Sequence, residues 1–259
     1  MHRISHLRGA FVLLSFLLGP ALSLADDGHH DDGHRDDIKK GRDHKDGSLF
    51  KWVGTFDVMA GNGSGVAEIV DVTTNGRQLI YTDAANEAIG FVDIRWPSRP
   101  MGEGTLDMPG EPTSLAILDP LVLVAVNTSP SYTEPSGQLV VVHRLTRKIV
   151  ATYELAGQPD SIALAPDRQR AVIVIENERN EDLDDGLLPQ YPSGTLLIVD
   201  LKGPADGWAI HEADLTDVAL NAFEGSDLEP EFVDINDANL AVVTFQENNH
   251  LAVVDILTG

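Results

Sequence analysis

Short apolar runs recur along the chain from Ala67 to Ile256, each bounded by Gly, Pro, Asn or Asp. The stretch Gln158 to Leu201 shows the plan most plainly. It holds Ser161–Ala165, then the β-branched Ala171–Ile175, then Thr195–Leu201. A Pro-Asp turn joins the first pair of runs and a long acidic loop joins the second. Runs of this length and composition between turn signals read as buried antiparallel strands. Leu49 to Val58 also reads as a strand, and Asp217–Phe223 as a short helix with Thr216 at its N-cap.

The plan repeats. Unit one runs from Ala67 to Ile94, unit two from Pro112 to Leu145 and on through IVATYEL. Unit three is the stretch above with WAIHEADL, and unit four runs from Glu229 to Ile256. Asn86 and Asn248 both precede a run ending in Val-Asp-Ile, and Ser136-Gly137 and Ser193-Gly194 both open a third strand. Turn signals fall in register at Asn75-Gly76, Asp119-Pro120, Pro166-Asp167 and Asn236-Asp237. The unit starts Glu68, Thr113, Asp160 and Glu231 are spaced 45, 47 and 71 residues apart. The first two spacings match the blade period of a four-stranded propeller. The expected fold is therefore an all-β propeller of about four blades over residues 49–259. A β-sandwich with irregular loops is the competing architecture. Unit four stops after its third strand, so the reading is of an incomplete propeller, the N-terminal part of a larger one. The Leu49–Val58 strand could supply a missing outer strand.

Composition changes this picture at the N-terminus and on the surface. Arg3 and Arg8 precede an apolar run from Gly9 to Leu18, followed by Gly19-Pro20 and the small residues Ser23-Leu24-Ala25. That is the layout of a secretory signal peptide cut after Ala25, and the run is too short for a comfortable bilayer span. Asp26–Ser48 is rich in Asp and His with one apolar side chain, Ile38, and reads as a disordered leader with weak affinity for metals. The chain is expected to be exported, to the periplasm or the cell surface, with no transmembrane segment once mature. With 18 Lys+Arg against 41 Asp+Glu the net charge is −23, and loss of Arg3 and Arg8 takes it to −25. Such a surface repels nucleic acid and attracts cations. The absence of cysteine excludes disulfides and thiolate metal sites.

Candidate chemistry gathers on one face of the expected propeller. The loops between second and third strands lie on the same side as the links between blades, and they are long and polar. They bring Glu176, Glu178, Asp182, Asp184 and Glu247; the blade starts add Glu68, Asp160, Glu229 and Glu231. Converging carboxylates suit a hard cation, Ca²⁺ before Mg²⁺. These nine residues are the candidate metal ligands; the alternative is a set of solvated loop carboxylates that keep the surface soluble. The acidic loop lacks the Asp-x-Asp-x-Asp-Gly order of an EF-hand. There is no Gly-x-Ser-x-Gly elbow and no second His beside His211-Glu212 for a zinc protease. Gly61-Asn62-Gly63-Ser64-Gly65 lacks the Lys of a phosphate loop. No catalytic set is assigned.

The sequence AGQPDSIALAPDRQRAVIVIENE with PSGTLLIVDL, and the Leu-Glu-Pro-Glu and Gln-Glu-Asn-Asn signatures of residues 228–259, resemble the choice-of-anchor I domain family. The resemblance covers most of Glu68 to Gly259. It implies a secreted or surface β-propeller akin to YncE-like and phytase-like propellers, in a family with cell-surface glycoproteins linked to biomineralisation and members labelled alkaline phosphatase. Two functions follow as expectations. One is a calcium-binding surface module. The other is a metal-dependent phosphomonoesterase of phytase type, in which cations would neutralise a phosphoester substrate.

Overall fold

The computed structural model describes residues 51–59, 64–180, 182, 183, 187 and 189–259. The expected signal peptide, the leader and Asp184 lie outside the described residues. The described chain forms fifteen strands in four antiparallel sheets. Blade 1 is β1 (Ala67–Val72), β2 (Gln78–Asp83), β3 (Ala88–Asp93) and β4 (Met101–Asp107). Blade 2 is β5 (Glu111–Leu118), β6 (Leu121–Asn127), β7 (Gly137–His143) and β8 (Lys148–Leu155). Blade 3 is β9 (Pro159–Leu164), β10 (Arg170–Ile175), β11 (Thr195–Asp200) and β12 (Ala209–Glu212). Blade 4 has three strands, β13 (Pro230–Ile235), β14 (Leu240–Phe245) and β15 (His250–Asp255). Each sheet is a meander in chain order, which is the blade plan of a propeller.

Three hydrophobic cores hold the fan together, one between each pair of successive blades. Ile80, Ile89 and Phe91 of blade 1 meet Leu115, Ile117, Val122 and Val124 of blade 2. Leu123, Leu139 and Val141 of blade 2 meet Ile162, Ile173 and Leu197 of blade 3. Val172, Val174 and Leu196 of blade 3 meet Val233, Val243, Phe245 and Val254 of blade 4. Each fully buried aliphatic or aromatic side chain contributes about 1.5–3 kcal/mol relative to exposure, so these cores dominate the energetics. Blades 2 and 3 are buried on both faces. This explains why β6 and β10 read as unbroken apolar runs rather than alternating ones.

Polar contacts set the blades in register. Asp71 Oδ2 accepts the Ile117 N–H at 2.8 Å, Ser114 Oγ the Ile162 N–H at 3.3 Å, and Ser161 Oγ the Val233 N–H at 3.4 Å. The recurrent Ser-Gly also has a steric reason. A Cβ on Gly137 would lie 2.2 Å from Pro159 Cδ, and one on Gly194 would lie 2.6 Å from Pro230 Cδ. Each proline opens the next blade, so the glycine makes room for it. A third device anchors the blade links. Asp83, Asn177 and Asn248 accept the N–H of Val66, Gln158 and Glu229 respectively, each residue lying just before an inner strand.

Two sequence expectations are corrected. Residues 51–58 form no strand; Phe56 instead lies against Tyr81, with ring centroids 6.4 Å apart, and beside Gly102 on blade 1. The aromatic contact fixes this segment on the sheet's face rather than its edge, so it adds no fourth strand to blade 4. The helix forms as α1 (Thr216–Asn221), but Thr216 is its first residue rather than its cap. Asp214 Oδ1 takes both the Thr216 N–H at 3.0 Å and its hydroxyl at 2.6 Å. Val218 of helix α1 and its C-cap residue Ala222 pack on the core between blades 3 and 4.

Asn248 is fully buried, and its amide also donates to the carbonyls of Phe223 at 2.9 Å and Asp227 at 2.8 Å. Replacing it with alanine strands the buried Glu229 N–H and Asp227 carbonyl. Asn248→Ala should therefore lower stability by about 2–4 kcal/mol in urea unfolding, with the slope unchanged.

Candidate functional site

All four inner strands carry a β-bulge at the same place: between Ala67 and Val70, Pro112 and Ser114, Pro159 and Ile162, and Pro230 and Val233. The residues at the bulge are Glu68, Thr113, Asp160 and Glu231, the unit starts read from the sequence. A bulge re-aims a side chain out of the ladder. Here it gathers carboxylates at the end of the fan where the inner strands begin and the second-to-third-strand loops cluster. Asp160, Glu176, Glu178, Glu229 and Glu231 lie within electrostatic reach of one another there, and Glu68 acts on Asp160 from blade 1.

Burial and crowding hold Asp160, Glu176, Glu229 and Glu231 towards their neutral forms. Burial, then Asp160, Glu178, Glu229 and Glu231, push Glu176 up to about 10. Burial, then Glu231, Glu178 and Glu68, push Asp160 up to about 7. Burial raises Glu229 to about 7, although Arg179 pulls the other way. Burial and then Glu247 raise Glu231. Among the described residues, Arg179 is the cation embedded in this carboxylate cluster. Arg179 bonds Glu229 Oε2 at 2.9 Å and Glu247 Oε2 at 2.6 Å, tying the acidic loop of blade 3 to blade 4.

The nine sequence-predicted ligands therefore divide. Asp160, Glu176, Glu178 and Glu231 stand at the mouth; the Gln158 amide reaches Glu178 at 3.4 Å. Glu229 and Glu247 stand at the same mouth but are engaged by Arg179. Glu68 is an exposed residue of β1, and Asp182 is exposed on the acidic loop, where its N–H bonds Asn180 Oδ1. Among the described residues no three His, Cys, Asp or Glu side chains are arranged to hold a metal ion. Sequence reasoning passed over Glu111, which burial and then Glu68, Glu178 and Glu87 push up. Its signal was present: Glu111-Pro112-Thr113 repeats Glu229-Pro230-Glu231.

A family model of the choice-of-anchor I domain matches residues 68–259. The chain belongs to the choice-of-anchor I family. No curated protein matches the sequence. Among solved structures, hydrazine synthase of Kuenenia stuttgartiensis superposes with a TM-score of 0.56 at 12% identity, covering 72% of this chain and 52% of that one. The Cps50 (Swd1) β-propeller domain of Myceliophteria thermophila gives 0.46 at 12% identity, over 70% of this chain and 51% of that one. The first match shows a shared fold alone, and the second is too distant to add to it. The choice-of-anchor I chain spans about half the length of these solved chains. Among its described residues no helix is long and apolar enough to cross a membrane.

The raised carboxyls make stability fall with pH. A carboxyl whose folded pKa exceeds its unfolded value binds its proton more tightly when folded, so folding weakens as pH climbs between the two values. Asp160 and Glu229 place that loss between their ordinary 3.8 and 4.5 and about 7, and Glu176 carries it on towards about 10. Without added metal, the melting temperature should drop from about pH 5 to about pH 8. Glu176→Gln copies the neutral form, so it should flatten that slope and raise the melting temperature at the upper end by about 2–4 °C.

Proposed function

We propose that the choice-of-anchor I chain is an exported binding module whose acidic mouth takes a divalent cation, Ca²⁺ before Mg²⁺. The single observation that carries this reading is the crowding of Asp160, Glu176 and Glu231 with Glu178 beside them, in a region where burial and mutual repulsion disfavour the charged forms of Asp160, Glu176 and Glu231. A divalent cation relieves the same repulsion that a proton relieves, and oxygen-only donors with flexible stems select Ca²⁺. Arg179 divides one positive charge between Glu229 and Glu247, so the mouth keeps an excess of carboxylates. Since no three carboxylates are arranged as ligands among the described residues, binding there requires rotation of the glutamate side chains, in exchange for release of their protons.

The layout of the N-terminus, with Arg3 and Arg8 before the Gly9–Leu18 run, supports export to the periplasm or the surface. There the calcium supply suits a weak extracellular site. The phosphomonoesterase reading finds no support at the mouth, because Arg179 is held by two carboxylates rather than offered to a phosphate.

Thermal melts in EDTA and in millimolar Ca²⁺ test the proposal. The Ca²⁺ sample should melt higher, by the linkage expected for a ligand that binds only the folded state. Asp160→Asn with Glu231→Gln should abolish the shift, whereas Asp182→Asn should leave it intact. An unshifted wild-type transition would remove the cation site, and Ca²⁺-dependent turnover of p-nitrophenyl phosphate would replace the binding module with a hydrolase.

A further inference from the structure

Blade 3 has a notch that blades 1 and 2 close. In blade 1 the outer strand β4 reaches the first residue of its neighbour, pairing Asp107 with Ala88, and in blade 2 β8 pairs Leu155 with Gly137. In blade 3 the outer strand β12 has four residues and pairs with β11 only from Leu197 to Asp200. The chain then swings away through α1 and returns at Leu228. Two hydrogen bonds frame the gap. The Ala213 N–H reaches the Leu196 carbonyl at 2.8 Å, and the Gly194 N–H reaches the Leu228 carbonyl at 2.7 Å. Between them the start of β11 has no outer strand beside it among the described residues.

A cavity of about 730 Å³ occupies this gap, within the size range of small-molecule sites. Every residue that lines it falls between Ala156 and Leu228, and none is Lys, Arg or His. Ile175, Ala213, Leu215 and Leu228 give it a buried apolar lining. The frame is braced from within. Ser193 Oγ accepts the Leu228 N–H at 2.8 Å, and the Asn177 amide donates to the Pro192 and Ser193 carbonyls at 3.3 and 3.1 Å. Asp214 Oδ1 accepts the hydroxyl and the N–H of Thr216, and these bonds hold its carboxyl below the ordinary range, so it stays charged at neutral pH.

Four lining groups are left unspent among the described residues: the second oxygen of Asp214, the carboxylate of Glu212, and the hydroxyls of Thr195 and Ser226. Glu212 and Asp214 are exposed, beside an apolar interior. We propose that this notch binds an organic ammonium ion, an apolar ring or short chain resting on Ile175, Leu215 and Leu228 with its NH₃⁺ held by Glu212 and Asp214. An ammonium has three donors and no acceptor, which matches a set of carboxylate and hydroxyl oxygens. Its bonds to carboxylates are charge-assisted, and burial of its apolar body adds the hydrophobic term. None of the mouth carboxylates lines the cavity, so this reading stands apart from the cation proposed there.

The test is isothermal titration calorimetry of the full chain in EDTA, with hexylamine, phenethylamine and tryptamine as probes. At least one should bind one to one. Indole-3-propionate, which puts a carboxylate on the indole ring of tryptamine, should not bind. Glu212→Gln with Asp214→Asn keeps the side-chain shapes and should weaken binding about tenfold. Ala219→Phe, at an exposed helix position that lines the cavity, fills it and should abolish binding, with circular dichroism and a cooperative melt confirming the fold. Asp160→Asn with Glu231→Gln alters only the mouth and should leave the affinity unchanged. Silence from all three amines, equal binding of indole-3-propionate, or binding that survives Ala219→Phe or the Glu212–Asp214 double change overturns the proposal. Binding lost in the mouth variant moves the ammonium to the acidic mouth and overturns it as well.

Discussion

A sheet with two apolar faces can be buried only by neighbours on both sides, and the organisation of this fan follows from that constraint. Blades 2 and 3 satisfy it and carry unbroken apolar runs such as Leu121–Val126 and Ala171–Ile175. Blade 1 buries one face on blade 2 and part of the other under Phe56. Blade 4 buries one face and leaves Leu251 and Val253 in water. Its sequence is written for two buried faces all the same: LAVVTF and HLAVVD are as apolar as the strands of the middle blades. Because the cores lie between sheets rather than within them, an error in one blade is felt by its neighbours.

The acidic mouth follows from the same geometry. A bulge at one fixed point of every inner strand aims a residue out of the ladder, and in three blades that residue is acidic. Burial and proximity then do the rest, raising Asp160 and Glu176 far from the carboxylate range. Arg179 shows how much charge the region needs: one guanidinium serves two carboxylates and also fastens blade 3 to blade 4.

Much of this was legible in the sequence because a strand's signal is local. The β-branched runs and the turns at Asn75-Gly76 and Pro166-Asp167 placed the strands, and the spacing of Glu68, Thr113 and Asp160 placed the blades. What escaped depends on distant partners. Phe56 has a strand-like context, but its position is decided by Tyr81, twenty-five residues on. Arg179 stands in an acidic stretch of sequence, and only the fold brings Glu229 and Glu247 to it. Leu215 stands at the cap of α1, and Asp214 before it bonds both the N–H and the hydroxyl of Thr216, where a reading by residue type gives the cap to Thr216 itself. Glu111 was hidden for a simpler reason: the repeat was aligned on the bulge residue, one place beyond the proline that marks the motif.

The fit of Gly137 to Pro159, and of Gly194 to Pro230, has a consequence for how such a chain can grow. A blade copied from first strand to last would carry its proline into a neighbour chosen without regard to that proline. A segment copied from the glycine of one blade to the proline of the next carries the matched pair intact. The pair joins blade 2 to blade 3 and blade 3 to blade 4, whereas Ala88 opens the third strand of blade 1 ahead of Pro112, so at these two junctions the unit that keeps the fit intact is offset from the visible sheet.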